Sequence, residues 1–161
     1  LTKLVRLDVQ SNRLTSVSNM PTFSNLEELY LSHNAITSMD GVQRLAKLGT
    51  LDMSSNRIDA ITSIFGLTQL EELWINSNGI KDFAQVEKLA AAKLPNLKTI
   101  YLEHTPLAEG HFEYRKRIAA LFPALLQLDA DCIPRPPAPA VAAMRLEASK
   151  EPPGGGGAGG A

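Results

Sequence analysis

Apolar and polar residues alternate over short stretches of this chain and then fall into a three-residue step, and the compound pattern recurs. One eleven-residue phrase occurs five times: LVRLDVQSNRL from Leu4, LEELYLSHNAI from Leu26, LGTLDMSSNRI from Leu48, LEELWINSNGI from Leu70 and LKTIYLEHTPL from Leu97. The first four copies begin 22 residues apart; the fifth follows after 27. Alternation at period two puts Leu7 and Val9, Leu29 and Leu31, Leu51 and Met53, Leu73 and Ile75, and Ile100 and Leu102 on the inner face of short strands. The residues between them face outward. Beyond each phrase the apolar residues step by three, as in Ile36, Met39, Val42, Leu45, Leu48 and in Ile58, Ile61, Ile64, Leu67, Leu70. Side chains at i and i+3 eclipse in a 3₁₀ turn, so this spacing predicts short 3₁₀ segments closing each coil, not long helices of period 3.6.

A phrase of the form L-x-x-L-x-L-x-x-N-x-L, recurring in phase, is the pattern of leucine-rich repeats. It implies an α/β leucine-rich-repeat solenoid with parallel strands on a concave face and short helical segments on the convex one. Asn12, Asn34, Asn56 and Asn78 stand where the chain leaves each strand, and a carboxamide there can satisfy backbone groups with both its donor and acceptor ends. Thr105 takes that place in the fifth copy and can supply only part of the bonding, which suits the end of a ladder. The longer fifth spacing comes from an insertion at Leu89 to Leu94, expected to lengthen one convex helix. Phe112 to Phe122 is amphipathic, with Tyr114, Ile118, Leu121 and Phe122 on one face, and Pro123 ends it. With Leu125, Leu126, Leu128 and Ile133 it is expected to close the C-terminal end of the stack. No such cover is legible at the other end, where Leu1 and Leu4 read as the last steps of an earlier coil, so further repeats are expected upstream and the first strand is expected to be an open edge.

Composition changes the picture in two places. The 161 residues carry sixteen basic and seventeen acidic side chains, a formal net charge of −1. With no basic patch, this argues against nucleic acid and anionic membrane as partners. Six of the ten prolines, six of the eleven glycines and seven alanines crowd into residues 134–161. Such a stretch buries too little apolar surface to offset its chain entropy and reads as a disordered tail or linker. The expected organisation is therefore repeats over 1–107, a cap over 108–133 and a tail over 134–161. The single Cys132 forms no internal disulfide, which points to a reducing, intracellular setting.

Function is expected on the outward columns. Between the inner residues run Asp8, Tyr30, Asp52, Trp74 and Tyr101; two positions earlier run Arg6, Glu28, Thr50, Glu72 and Thr99; two later run Gln10, Ser32, Ser54, Asn76 and Glu103. Acids and large aromatics gather here, and Arg6 is the only basic residue in the three columns. Trp74, the chain's single tryptophan, reads as an exposed interface anchor. The alternative is a ring lying flat over Tyr30, Asp52 and Tyr101 to shield the sheet. Asp52 and Glu72 read as a solvated interface pair, since an open sheet lacks the enclosed pocket of acid–base catalysis. His33 and His104 stand in one column but three repeats apart, about 14 Å at ordinary strand spacing, too far to share a metal ion. No catalytic residue, cofactor, metal site or small-molecule substrate is expected.

The segments LEELWINSNGI, KLPNLKTIYLEHTPL and EYRKRIAALFPALLQLDADCI together resemble the last repeats and cap of the leucine-rich-repeat regulatory subunits of protein phosphatase-1. The likeness runs from Leu1 to about Ile133, with Thr105-Pro106 where the usual cap phrase has Asn-Pro. It implies a non-catalytic nuclear and cytoplasmic protein that binds the phosphatase catalytic subunit through its concave face. The binding positions it carries over are Asp52, Glu72, Trp74 and Tyr101, with Asp8 and Tyr30 by column. A structural protein of an axoneme or ribonucleoprotein particle is the alternative, because such proteins share the cap style.

Overall fold

A computed structural model of the chain describes residues 3–134. The expected tail lies outside the described residues, apart from its first proline. Five three-residue parallel strands, β1 (Arg6–Asp8), β2 (Glu28–Tyr30), β3 (Thr50–Asp52), β4 (Glu72–Trp74) and β5 (Thr99–Tyr101), stand side by side in chain order. Their register matches the phrase alignment: Leu7 pairs with Leu29, Leu29 with Leu51, Leu51 with Leu73, and Leu73 with Ile100. The inner side chains of β2 to β5 and of the residues that follow them are buried, whereas Leu7 and Val9 on the first strand are only partly covered.

The coils close in the way the three-residue step demands. The N–H groups of Leu45 and Leu48 donate to the carbonyls of Val42 and Leu45, and those of Leu67 and Leu70 to Ile64 and Leu67. Each apolar residue thus bonds back to the apolar residue three before it, which turns every third side chain inward. Among the described residues, one of these turns runs long enough to form a 3₁₀ helix, Val42–Arg44. The others are single turns, so the expected 3₁₀ segments are shorter than the periodicity implied. Gly41 opens the helical one with φ +114, and a Cβ there would collide with the Val17 carbonyl. The insertion produces α1 (Phe83–Ala91), capped by the Asp82 carboxylate accepting from the Ala84 N–H and burying Phe83, Val86 and Leu89.

The asparagines form a ladder. Asn78 Nδ2 donates to the carbonyls of Met53, Ile75 and Asn76 at 2.9 to 3.1 Å, and its Oδ1 accepts the Ile58 N–H at 2.9 Å. Asn34 and Asn56 repeat the arrangement, each linking its own turn to the coil before it. The residue ahead of each rung, Ser11, His33, Ser55, Ser77 and His104, lies in the left-handed region with φ of 52 to 55. That conformation turns the chain off the strand. Thr105 ends the ladder: its hydroxyl donates to the Leu102 carbonyl at 2.7 Å and accepts from the Ala108 N–H at 3.3 Å, capping α2 (Pro106–Gly110).

The cap differs from expectation in three respects. Its main helix, α3 (Tyr114–Leu121), starts two residues later than predicted, leaving Phe112 fully exposed, and α2 precedes it. Leu125 and Leu128 are buried as predicted but Leu126 is exposed. A sixth strand, β6 (Gln127–Leu128), extends the parallel sheet, and β7 (Asp131–Cys132) turns back antiparallel to cover the edge. Leu125-Leu126-Gln127-Leu128 is a truncated repeat phrase, aligned by the pairing of Ile100 with Leu128. Buried Asp129 ties cap to solenoid, its Oδ1 accepting the N–H groups of Leu102 and Glu103 at 2.8 and 2.9 Å. Its Oδ2 accepts the Tyr114 hydroxyl at 3.1 Å. Burial foremost, then the charge and hydrogen bond of Asp129, push the Tyr114 pKa well above the ordinary phenol value.

Two outcomes are expected in denaturation experiments. Asn78→Ala removes four hydrogen bonds, two of them to the Ile58 N–H and the Ile75 carbonyl, and lowers stability by about 2–4 kcal/mol in urea titrations. Because Tyr114 holds its proton more tightly folded than unfolded, its contribution is intact below about pH 10 and is lost as pH rises further. The melting temperature should fall above that pH, and fall more gently in Tyr114→Phe.

Candidate interaction face

The outward side chains of the strands form a connected row across the concave face. Arg6 lies 3.0 Å from the Glu28 carboxylate, and its guanidinium sits 4.5 Å from the centre of the Tyr30 ring. The Tyr30 hydroxyl donates to the same Glu28 oxygen at 3.0 Å. Tyr30 meets Trp74 edge-on at 6.4 Å between centroids, and Trp74 meets Tyr101 edge-on at 5.5 Å. Gln127 Nε2 donates to the Tyr101 hydroxyl at 2.6 Å and to the Asp129 carbonyl at 3.0 Å. The row therefore runs from β1 to the cap.

Tyr30 and Trp74 stand on strands that are not neighbours, with β3 between them. Two strand spacings are about 9.6 Å, so rings 6.4 Å apart lean toward each other above the intervening Asp52. Asp52 is consequently only 4% exposed. This corrects the expectation of a solvated Asp52: its position faces outward, but its neighbours close over it. One carboxylate oxygen accepts both the N–H and the hydroxyl of Ser54, at 2.9 and 2.6 Å. Trp74 differs from both sequence readings, being neither freely exposed nor flat. It is half-buried and edge-on to both tyrosines, and its Nε1 is buried without a hydrogen-bond partner among the described residues.

Asp8 is exposed, and Glu72 and Tyr101 are half-buried beside the row. The structure thus brings Tyr30, Asp52, Trp74 and Tyr101 together, places Glu72 one column away, and sets Asp8 beside Tyr30 on the first strand, three strands from Trp74. Arg6 is committed to Glu28 and Tyr30, so the Glu72 and Glu103 charges on this face have no basic side chain bonded to them among the described residues. Burial, then the neighbouring Glu28, raises the Tyr30 pKa, and Arg6 opposes the shift. Gln127 escaped the sequence reading. Aligning Leu125 and Leu128 with Leu97 and Ile100 would have placed it in the Thr99 column.

Residues 2–58 and, overlapping them, 24–80 match the leucine rich repeat family. The fold is that of a leucine-rich-repeat solenoid. Among solved structures, an internalin from Listeria monocytogenes superposes on this leucine-rich-repeat chain with a TM-score of 0.66 at 25% identity, covering 82% of this chain and 36% of that one. A leucine-rich-repeat protein of Leptospira interrogans gives 0.63 at 26% identity, covering 78% and 31%. The Drosophila melanogaster SNF/U2A' complex gives 0.52 at 22% identity, covering 83% and 64%, a likeness of fold. The chain spans about a third of the length of the first two structures. No curated protein matches it. No helix among the described residues is long and apolar enough to cross a membrane.

A buried N–H without a partner costs about 1–3 kcal/mol. Trp74→Phe removes that group while keeping an aromatic face, so its stability should stay within about 1 kcal/mol of the parent in urea titrations. Trp74→Ala, which also empties the space between two tyrosines, should lose about 3 kcal/mol.

Proposed function

We propose that this leucine-rich-repeat chain is a non-catalytic scaffold whose concave face binds a protein, and that the partner is the catalytic subunit of protein phosphatase-1. The observation that carries the reading is the aromatic row of Tyr30, Trp74 and Tyr101, set among acidic side chains on an open sheet. Half-buried aromatic groups ringed by polar ones are the usual anchors of protein interfaces. Hollows among the described residues lie against the cap helices, at the strand entrances and at the N-terminal end, whereas the row stands on the outward side of the sheet.

The choice of partner rests on the likeness of LEELWINSNGI, IYLEHTPL and the cap segment to the phosphatase regulatory subunits. On this reading Trp74, Tyr101, Tyr30 and Glu72 touch the phosphatase. Asp52 acts from below, holding the strand exit through Ser54 beneath the leaning rings, and Asp8 extends the contact toward β1. The excess of acids selects a partner surface bearing Lys or Arg side chains. The proposal includes a nuclear and cytoplasmic location.

Binding of the purified chain to the phosphatase catalytic subunit tests this. A central anchor is worth about 2–4 kcal/mol, so Trp74→Ala and Glu72→Lys should each weaken binding at least thirtyfold, while Lys47→Glu, off the outward columns, leaves it unchanged. No affinity in the parent chain overturns the partner. Undiminished affinity in both variants overturns the residue assignment.

A further inference from the structure

We infer that Glu72 and Trp74 form a receiving slot for an arginine side chain supplied by the protein that the concave face binds; the inference rests on that reading of the face and adds the chemistry of its central contact. The solenoid carries its own template. Alternate coils are near-copies: LVRLDVQSNRL from Leu4 returns as LGTLDMSSNRI from Leu48, and LEELYLSHNAI from Leu26 returns as LEELWINSNGI from Leu70. The register returns with them. Arg6 pairs with Glu28 and Asp8 with Tyr30 across β1 and β2, as Thr50 pairs with Glu72 and Asp52 with Trp74 across β3 and β4. The acids at the strand ends also act alike, Asp8 accepting the Gln10 N–H at 3.1 Å and Asp52 the Ser54 N–H at 2.9 Å.

One charge separates the two units. In the first, the Arg6 guanidinium lies 3.0 Å from the Glu28 carboxylate and 4.5 Å from the centre of the Tyr30 ring, so an acid and an aromatic ring hold one arginine between them. In the second, the acid is kept as Glu72, the ring is enlarged to Trp74, and Thr50 stands in the place of the arginine. Threonine brings no charge and is too short to cover a ring. Both column neighbours of Glu72 are threonines, Thr50 and Thr99, and no basic side chain is bonded to it among the described residues. Burial and Glu28 lead in raising the Tyr30 pKa and Glu72 adds to the shift, so the Glu72 charge reaches the row.

The occupant is specified by what the first unit already holds. A guanidinium lies flat on an aromatic face while its N–H groups reach a carboxylate, and indole is the strongest of the aromatic faces for a cation. An ammonium group is more strongly hydrated and does not stack, so lysine fits less well. The arginine enters over Thr50, the position from which Arg6 reaches Glu28 in the template. A second copy of this chain is the competing source of an arginine.

The first part of the test needs no partner. The indole N–H of the chain's single tryptophan gives one NMR signal, and titrating the 161-residue chain with Nα-acetyl-arginine amide should move it saturably. The affinity should be about fivefold weaker for Nα-acetyl-lysine amide and for the Glu72→Gln chain. Thr50→Arg rebuilds the template from within: it should raise the folding equilibrium constant about threefold in the parent and leave it unchanged in Glu72→Gln. Against the phosphatase catalytic subunit, Thr50→Arg should lose about tenfold in affinity, while Thr37→Arg, off the outward columns, loses nothing. Absence of phosphatase binding overturns the partner alone, since the amide titration of the parent chain and the Thr50→Arg comparison decide the slot. A linear drift of the indole signal, an equal response to the lysine amide, or a Thr50→Arg gain that survives Glu72→Gln would each overturn the inference. Self-association abolished by Glu72→Gln would overturn the source of the arginine in favour of a second copy.

Discussion

Everything in this molecule depends on satisfying the backbone where a three-residue strand turns away from the sheet. The turn is too tight and too buried for water, and its carbonyls point in directions that no strand ladder meets. One asparagine per coil answers this with a carboxamide that donates within its own turn and both donates and accepts across to the coil before it. The same bonds therefore build each coil and join it to its neighbour. A rung is not a local ornament but the fastening between units, which is why the left-handed residue ahead of it recurs with nearly constant φ in all five copies.

Both ends of the stack follow from that fastening. At the C-terminal end the series stops at Thr105, whose single hydroxyl starts a helix while keeping one strand-exit bond. Asp129 then replaces the missing coil, accepting the Leu102 and Glu103 N–H groups from the last full strand. Tyr114 and Arg115 lie against its carboxylate, so a charge that would be costly if buried alone is compensated. At the N-terminal end the Asn12 carboxamide donates within its own turn, to the carbonyls of Val9 and Gln10.

The concave face inherits its geometry from the same register. Because Asp52 pairs with Tyr30 on one side and Trp74 on the other, three residues chosen by one column become a pair of rings over a buried acid. Rings on alternate strands reach across a small residue between them, which exposes less aromatic surface than separate side chains would. Glu28 and Arg6 neutralise each other at one end of the row, so the uncompensated acids lie toward the centre and the cap.

The repeat, the inner residues, the asparagine rungs and the cap helix were legible in the chain because each is a local rule repeated at a fixed interval. A period of two makes a strand, a period of three makes i to i−3 turns, and a recurring Asn marks the exit. The candidate row was legible as columns for the same reason, since register follows from spacing. What only the tertiary structure decided were the features that arise between columns: the lean of Tyr30 and Trp74 over Asp52, the unpartnered Trp74 N–H, and the place of Gln127 beside Tyr101. Side-chain direction within a column depends on the sizes of its neighbours on both sides. A linear pattern records which residues are adjacent, whereas how far each ring tilts is set by packing in three dimensions.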